Sequence, residues 1–132
     1  MGYNNAGQLG IGNTTNHNSP VQIATAVAQC TAGDHHSLFV KTDGILWAMG
    51  YNGVGQLGDG TNTQRLSPVQ VATGVSQAAG GGSHSLFVKT NATLWSMGHN
   101  IYGQLGDGTT ANRSTPVQVA AGVAQAAAGV NH

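Results

Sequence analysis

Gly7-Gln8-Leu9-Gly10 returns as Gly55-Gln56-Leu57-Gly58 and again as Gly103-Gln104-Leu105-Gly106, 48 residues apart each time. The same interval carries Ser19-Pro20-Val21-Gln22 onto Ser67-Pro68-Val69-Gln70 and Thr115-Pro116-Val117-Gln118. It also carries Ser37-Leu38-Phe39-Val40-Lys41-Thr42 onto the identical segment at 85–90, and His36 onto His84 and His132. No insertion or deletion breaks the register. A period of this size means one supersecondary unit used repeatedly, each copy burying its apolar faces against the next. At 132 residues the chain holds 132/48, about 2.75, such units.

Within a unit the pattern is β throughout. Val27 to Gly33 alternates small residues (Ala28, Cys30, Ala32) with more polar ones, as a strand in a crowded place does. His36 to Lys41 carries bulk on both faces, which suits a strand between two layers. Asp43-Gly44 is a hairpin signal, and its counterpart Asn91-Ala92 puts an alanine where glycine is preferred. Ile45 to Gly50 sets Ile45, Trp47 and Met49 against Leu46, Ala48 and Gly50 on the opposite side. A Gly-, Asn- and Thr-rich loop follows, and Pro68 opens a short strand at Val69 to Val71. Four short strands per unit without a helical period describe a blade of a β-propeller.

The predicted architecture is therefore all-β, with four-stranded antiparallel blades forming an incomplete ring. A partial blade spans 1–26 (a long loop and a last strand), complete blades span 27–74 and 75–122, and 123–132 supplies the first strand of a further blade. Both ends fall inside a unit, since Met1 aligns with Met49 and Met97 and His132 with His36, which reads as a piece of a longer array. Terminal blades without neighbours leave apolar surface and strand edges open, so self-association is expected.

Asn-x-x-Gly-Gln-Leu-Gly-Asp-Gly-Thr, Pro-Val-Gln-Val, Ala-Gly-x-x-His-Ser-Leu and Leu-Trp-x-Met-Gly together resemble the regulator of chromosome condensation repeat in its compact bacterial form, over the whole chain. The resemblance implies a propeller, usually of seven blades. Seven units of 48 residues make 336, so this chain does not close such a ring alone. It further implies either a protein-interaction scaffold or guanine-nucleotide exchange on a small GTPase. For exchange, an extra hairpin inserted in one blade helps displace the nucleotide, and the unbroken register leaves no room for one in this stretch. A fragment without a function of its own is the third reading.

Composition excludes other classes. Charged residues are 6% of the chain and the formal net charge is zero, so no basic surface exists to neutralise phosphates and no nucleic-acid contact is expected. Cys30, the single cysteine, stands where the other units have Ala78 and Ala126, and reads as a small apolar residue. No membrane segment and no signal peptide can be read, which leaves both cytoplasmic and secreted settings open. His36, His84 and His132 recur at equivalent places, but neighbouring blades stand roughly 10 Å apart while zinc holds its ligands about 2 Å away, so a turn-stabilising hydrogen bond is the expected role. Asp59-Gly60-Thr61 and Asp107-Gly108-Thr109 lack the ligand run and closing Glu of calcium loops and read as Asx turns. Three Asn-x-Ser/Thr matches follow from an Asn- and Thr-rich composition. No catalytic, cofactor-binding or metal-binding residue is assigned.

The copies differ from one another mainly in the first and third connections of each unit, which emerge on one face of an antiparallel blade. The second and fourth, with Lys41-Thr42 and Lys89-Thr90, are nearly uniform. Variation on one rim of a rigid scaffold is how loops carry recognition. The expected protein-binding rim comprises Tyr51, Val54, Arg65, Leu66, Ile101, Tyr102 and Arg113, with aromatic and Arg side chains as anchors. The repeat framework comprises Gly7, Gln8, Gly10, His36, Gly55, Gln56, Gly58, His84, Gly103, Gln104, Gly106 and His132.

Overall fold

A computed structural model describes residues 1–132. Eight strands form two four-stranded antiparallel sheets, each in the simple order of the chain. The first holds β1 (Val27–Ala32), β2 (His36–Lys41), β3 (Leu46–Gly50) and β4 (Arg65–Ala72); the second holds β5 (Val75–Gly80), β6 (His84–Lys89), β7 (Thr93–Gly98) and β8 (Arg113–Ala121). These are the two complete propeller blades, and every register in one recurs in the other: Phe39 opposes Trp47 as Phe87 opposes Trp95.

The outermost strands are longer than the sequence suggests. β4 starts at Arg65 and contains Pro68, which an edge strand tolerates because its second side has no ladder to supply. An irregularity between Ala48 and Gly50 of β3 takes up the extra residues. The strand expected at the end of the first partial unit and the strand expected over 123–132 are absent: both segments are irregular, apart from a single bridge between Gly2 and His17. Strand-forming sequence is assigned as a strand only where a neighbour pairs with its N–H and C=O groups in a ladder; residues 123–132 receive instead the isolated bonds of Val123 N–H to Ala92 C=O, Gly82 N–H to Gly129 C=O and the Gln77 amide to Ala126.

The hairpin after β2 closes with Gly44 N–H on Lys41 C=O at 2.9 Å, and Gly44 alone takes the left-handed conformation, at φ 77°. Ala92 is forced to φ 61° at the equivalent point, as its place in the repeat requires. Ala26, at φ 55°, is the second strained alanine; its counterparts are Gly74 and Gly122.

The core lies between the sheets. Leu38, Val40, Leu46 and Ala48 of the first face Val75, Ala78, Phe87 and Met97 of the second, with Leu57 from the intervening loop wedged among them and Trp95 packed alongside. A glutamine joins the innermost strands: the Gln29 side chain donates to Ala78 C=O (2.9 Å) and accepts from Ala78 N–H (2.9 Å), imitating a strand partner. Gln77 repeats this on Ala126, at 3.1 Å both ways.

Candidate protein-interaction rim

Each long loop is built around one buried asparagine. Asn52 follows β3 with no solvent exposure; its Oδ1 accepts from Leu57 N–H (3.0 Å) and its Nδ2 reaches Asp59 Oδ1, Thr61 C=O and Thr63 C=O at 3.0 to 3.1 Å. Asn100 makes the same set with Leu105, Asp107, Thr109 and Ala111. Asn4 holds Leu9 N–H and two carbonyls, because Ile11 stands where the other loops have Asp. One amide therefore satisfies peptide groups from both limbs of a loop with no ladder of its own.

The Gly-Gln-Leu-Gly motif completes the loop. Gln56 Oε1 accepts from Val54 N–H and Gln104 Oε1 from Tyr102 N–H, so the glutamine latches the turn just before it. Gly55 and Gly58 sit at φ 82° and 74°, and a Cβ on Gly55 would meet the Ser114 backbone of the next blade at 2.5 Å. The loop thus folds onto the following sheet, and only glycine allows that approach.

Asp59 caps its own turn by accepting from Thr61 N–H and Oγ1, and its Oδ2 accepts from Arg65 Nε at 2.7 Å. Asp107, Thr109 and Arg113 do the same, again with a 2.7 Å ion pair. Burial pulls the Asp59 carboxyl upward, but the hydrogen bonds from Thr61 and Arg65 outweigh it and hold the group below its ordinary value. For Asp107 the bonds from Thr109 and then Arg113 hold the carboxyl far below the usual carboxylate range.

The histidines do not converge on an ion, and nowhere in the chain do three His, Cys, Asp or Glu side chains cluster with ligand spacing. His36 lies over Gly33 of its own turn, where any Cβ would overlap its ring. Its Nε2 is 2.8 Å from Ser85 Oγ of the next blade, and Ser85 Oγ donates to Gln56 C=O at 2.8 Å. The single serine proton being committed, His36 is the donor, carrying its proton on Nε2. The ring's one hydrogen bond thus runs between blades and not, as expected, to its own turn. His36 Nδ1 is buried without a partner, so a second proton there is unfavourable; burial, reinforced by His84 and His35, lowers its pKa to about 4. His84 repeats the arrangement against His132 C=O, and burial lowers its pKa too.

The first and third connections do emerge together: Tyr51 N–H donates to His35 C=O at 2.8 Å, and His99 N–H to Ser83 C=O at 2.9 Å. Their side chains separate into three groups. Tyr51, Ile101 and Tyr102 are 42%, 52% and 70% exposed, and Tyr102 lies edge-on to His99 at 6.1 Å. Val54 and Leu66 are half-buried, with Leu66 packed beneath Gly7 of the preceding loop. Arg65 and Arg113 are engaged by their aspartates, so their guanidinium groups brace the loops before they can serve any partner.

Tyr3, 56% exposed at the position of Tyr51 and His99, extends the exposed aromatic set and was passed over in the sequence. The asparagines and Gln29 and Gln77 were passed over too, although their 48-residue recurrence was the signal that could have found them. At the opposite end, Lys41 and Lys89 lie over Trp47 and Trp95, 5.6 and 4.7 Å from the ring centroids, which ties these cations to the blades.

The family model for the Regulator of chromosome condensation (RCC1) repeat matches residues 1–40, 43–88 and 91–132, and a second model of that repeat matches 27–56 and 75–104. No curated protein sequence matches the chain. Among solved structures, human WBSCR16 superposes with a TM-score of 0.75 at 26% identity, over 91% of this chain and 34% of that one. Prp20p from Saccharomyces cerevisiae, described with its binding properties to Gsp1p and histones, gives 0.80 at 19% identity, over 98% and 36%. Yeast RCC1 (Prp20) bound by Kap60 gives 0.74 at 21%, over 92% and 32%. The chain spans about a third of the length of each.

Proposed function

Because the chain belongs to the Regulator of chromosome condensation (RCC1) repeat family, we propose that it is a protein-interaction scaffold whose partner seats on the rim bearing Tyr3, Tyr51, Ile101 and Tyr102. The observation that carries this is the pairing of exposed aromatic and aliphatic side chains with loops that are already rigid. Each loop is held by a buried asparagine, and two of the three by an ion pair as well. Preorganised loops avoid the ordering cost of binding, and Tyr supplies large contact area with few rotors. The blades below provide the platform and no chemistry.

Regulation of a small GTPase is the second reading, favoured by the family and by the description of Prp20p with Gsp1p. The long loops are of one length, 51–64 and 99–112, with no inserted hairpin in either, so a role in nucleotide release finds no support within these blades. The test pairs binding with nucleotide release, using a purified small GTPase and core histones as candidate partners. Tyr102→Ala and Tyr51→Ala should each weaken capture about tenfold or more, as loss of an interface anchor does, whereas Thr42→Ala on the opposite end should not. Binding insensitive to all rim substitutions refutes the rim reading, and accelerated nucleotide release by the chain would favour the second.

A further inference from the structure

Asn52-Gly53 is the one Asn-Gly pair in the chain; the equivalent asparagines Asn4 and Asn100 precede Asn5 and Ile101. Glycine has no side chain to shield its own backbone nitrogen, so in an unfolded chain that nitrogen reaches the preceding carboxamide carbon more readily than any other residue allows. The middle rim loop therefore has the most labile asparagine of the chain as its hub. The fold restrains it. Asn52 is fully buried, its Oδ1 accepts from Leu57 N–H, and its Nδ2 donates to Asp59 Oδ1, Thr61 C=O and Thr63 C=O. Turning the carboxamide toward the Gly53 nitrogen would break these bonds together. Gly53 itself is exposed, so solvent base and water reach its peptide.

We propose that Asn52 is a site of spontaneous deamidation, gated by opening of its own loop. Once the carboxamide is free, the Gly53 nitrogen gives its proton to solvent base and bonds to Asn52 Cγ. The bond from Cγ to Nδ2 breaks, and Nδ2 takes a proton from water and leaves as ammonia. Water then adds to one or other carbonyl of the cyclic imide and opens it, to aspartate or to isoaspartate. The net change is one amide and one water converted to a carboxylate and ammonium; no oxidant, metal or partner enters.

The gate is tied to the blade interface. Leu57, whose N–H Asn52 holds, belongs to the core between the sheets, and Gly55 lies against the Ser114 backbone of the next blade. The loop cannot release Asn52 without loosening both, so the reaction samples openings that reach the core. It also runs one way. Aspartate at this position turns an oxygen toward Asp59 Oδ1 and two carbonyls that had received hydrogens, and isoaspartate lengthens the backbone by one carbon. Neither product rebuilds the hub, so an opening that would otherwise close becomes a permanent loss of the loop that carries Tyr51 and Val54 to the rim. None of this depends on what the rim binds.

The test incubates the full chain in mildly alkaline buffer, folded and in urea, and follows each asparagine by peptic mapping and mass spectrometry at low pH, which halts the reaction. In urea Asn52 should convert well ahead of Asn4 and Asn100, giving aspartate and isoaspartate together. In the folded chain its conversion should slow about a hundredfold or more, as an opening coupled to the core demands, while the exposed Asn18, outside either sheet, slows far less. Gly53→Ile, which copies the third loop and displaces only the far end of the Tyr51 side chain, should abolish Asn52 conversion in both conditions; Gly53→Asn, copying the first loop, stands in if circular dichroism shows the isoleucine variant unfolded. Asn52 converting no faster than Asn4 and Asn100 in urea overturns the proposal. Equal Asn52 rates in the folded and unfolded chain overturn the gate, and converted chain that regains the parent's urea midpoint overturns the one-way outcome.

Discussion

Replacing Asn52 tests the central structural claim, that one buried amide organises each rim loop. In Asn52→Ala the Leu57 N–H loses its acceptor in a fully buried setting, and Thr61 C=O, half-buried, loses its donor; Thr63 is exposed and regains water. An unsatisfied buried group costs about 1 to 3 kcal/mol, so two of them give a loss of about 2 to 6 kcal/mol. Asn52→Asp preserves size and the bond from Leu57, yet it turns an oxygen toward Asp59 Oδ1 and two carbonyls that now receive hydrogens at 3.0 to 3.1 Å. Its folded pKa must therefore rise above the unfolded value of about 3.9, at about 1.4 kcal/mol per unit of pKa. A raised acid pKa penalises the fold most above the folded pKa, and the penalty fades as pH falls through it. Urea unfolding followed by Trp47 and Trp95 fluorescence, each variant compared with the parent at pH 7 and pH 5, reads both effects. The gap between parent and Asn52→Asp should narrow on acidification, while that for Asn52→Ala should not. An alanine variant within about 1 kcal/mol of the parent, or an aspartate variant with a gap independent of pH, would refute the account.

His36 is neutral in the fold with a pKa of about 4, against 6.5 when unfolded. The unfolded chain thus takes the proton first: stability is complete above pH 6.5 and falls as pH drops toward 4, by up to about 3 kcal/mol. His36→Gln should lack that slope in denaturant titrations at graded pH. Ala92→Gly and Ala26→Gly relieve left-handed alanines, at φ 61° and 55°, and should each raise stability by about 0.5 to 1 kcal/mol, read as a higher melting temperature. Gly33→Ala drives a methyl into the His36 ring and the Gly81 carbonyl of the neighbouring blade, and should cost about 3 kcal/mol in equilibrium unfolding. Gln29→Ala leaves Ala78 N–H and C=O without partners inside the interface, a loss of about 2 kcal/mol in the same assay, with Gln125→Ala, exposed, as the silent control.

The 48-residue echo by itself determined the all-β blade, its four-strand order and the alternation that sends Leu38, Val40 and Leu46 to one face and Phe39 and Trp47 to the other, because a strand's period of two is written in consecutive residues. It also marked Ala92 as a misfit and separated the variable end of each blade from the uniform one. Tertiary structure alone decided which recurring polar residues are internal. Asn52 looks like any loop asparagine until the peptide groups it satisfies are seen, and Gln29 like any exposed glutamine until Ala78 lies beside it. Arg65 reads as an anchor until Asp59 engages it. Only the fold, likewise, left 18–24 and 123–128 out of any ladder although they carry the repeat's strand residues. Periodicity specifies which way a side chain points, but a hydrogen bond or a ladder needs a partner, and partners distant in the chain are assigned by packing.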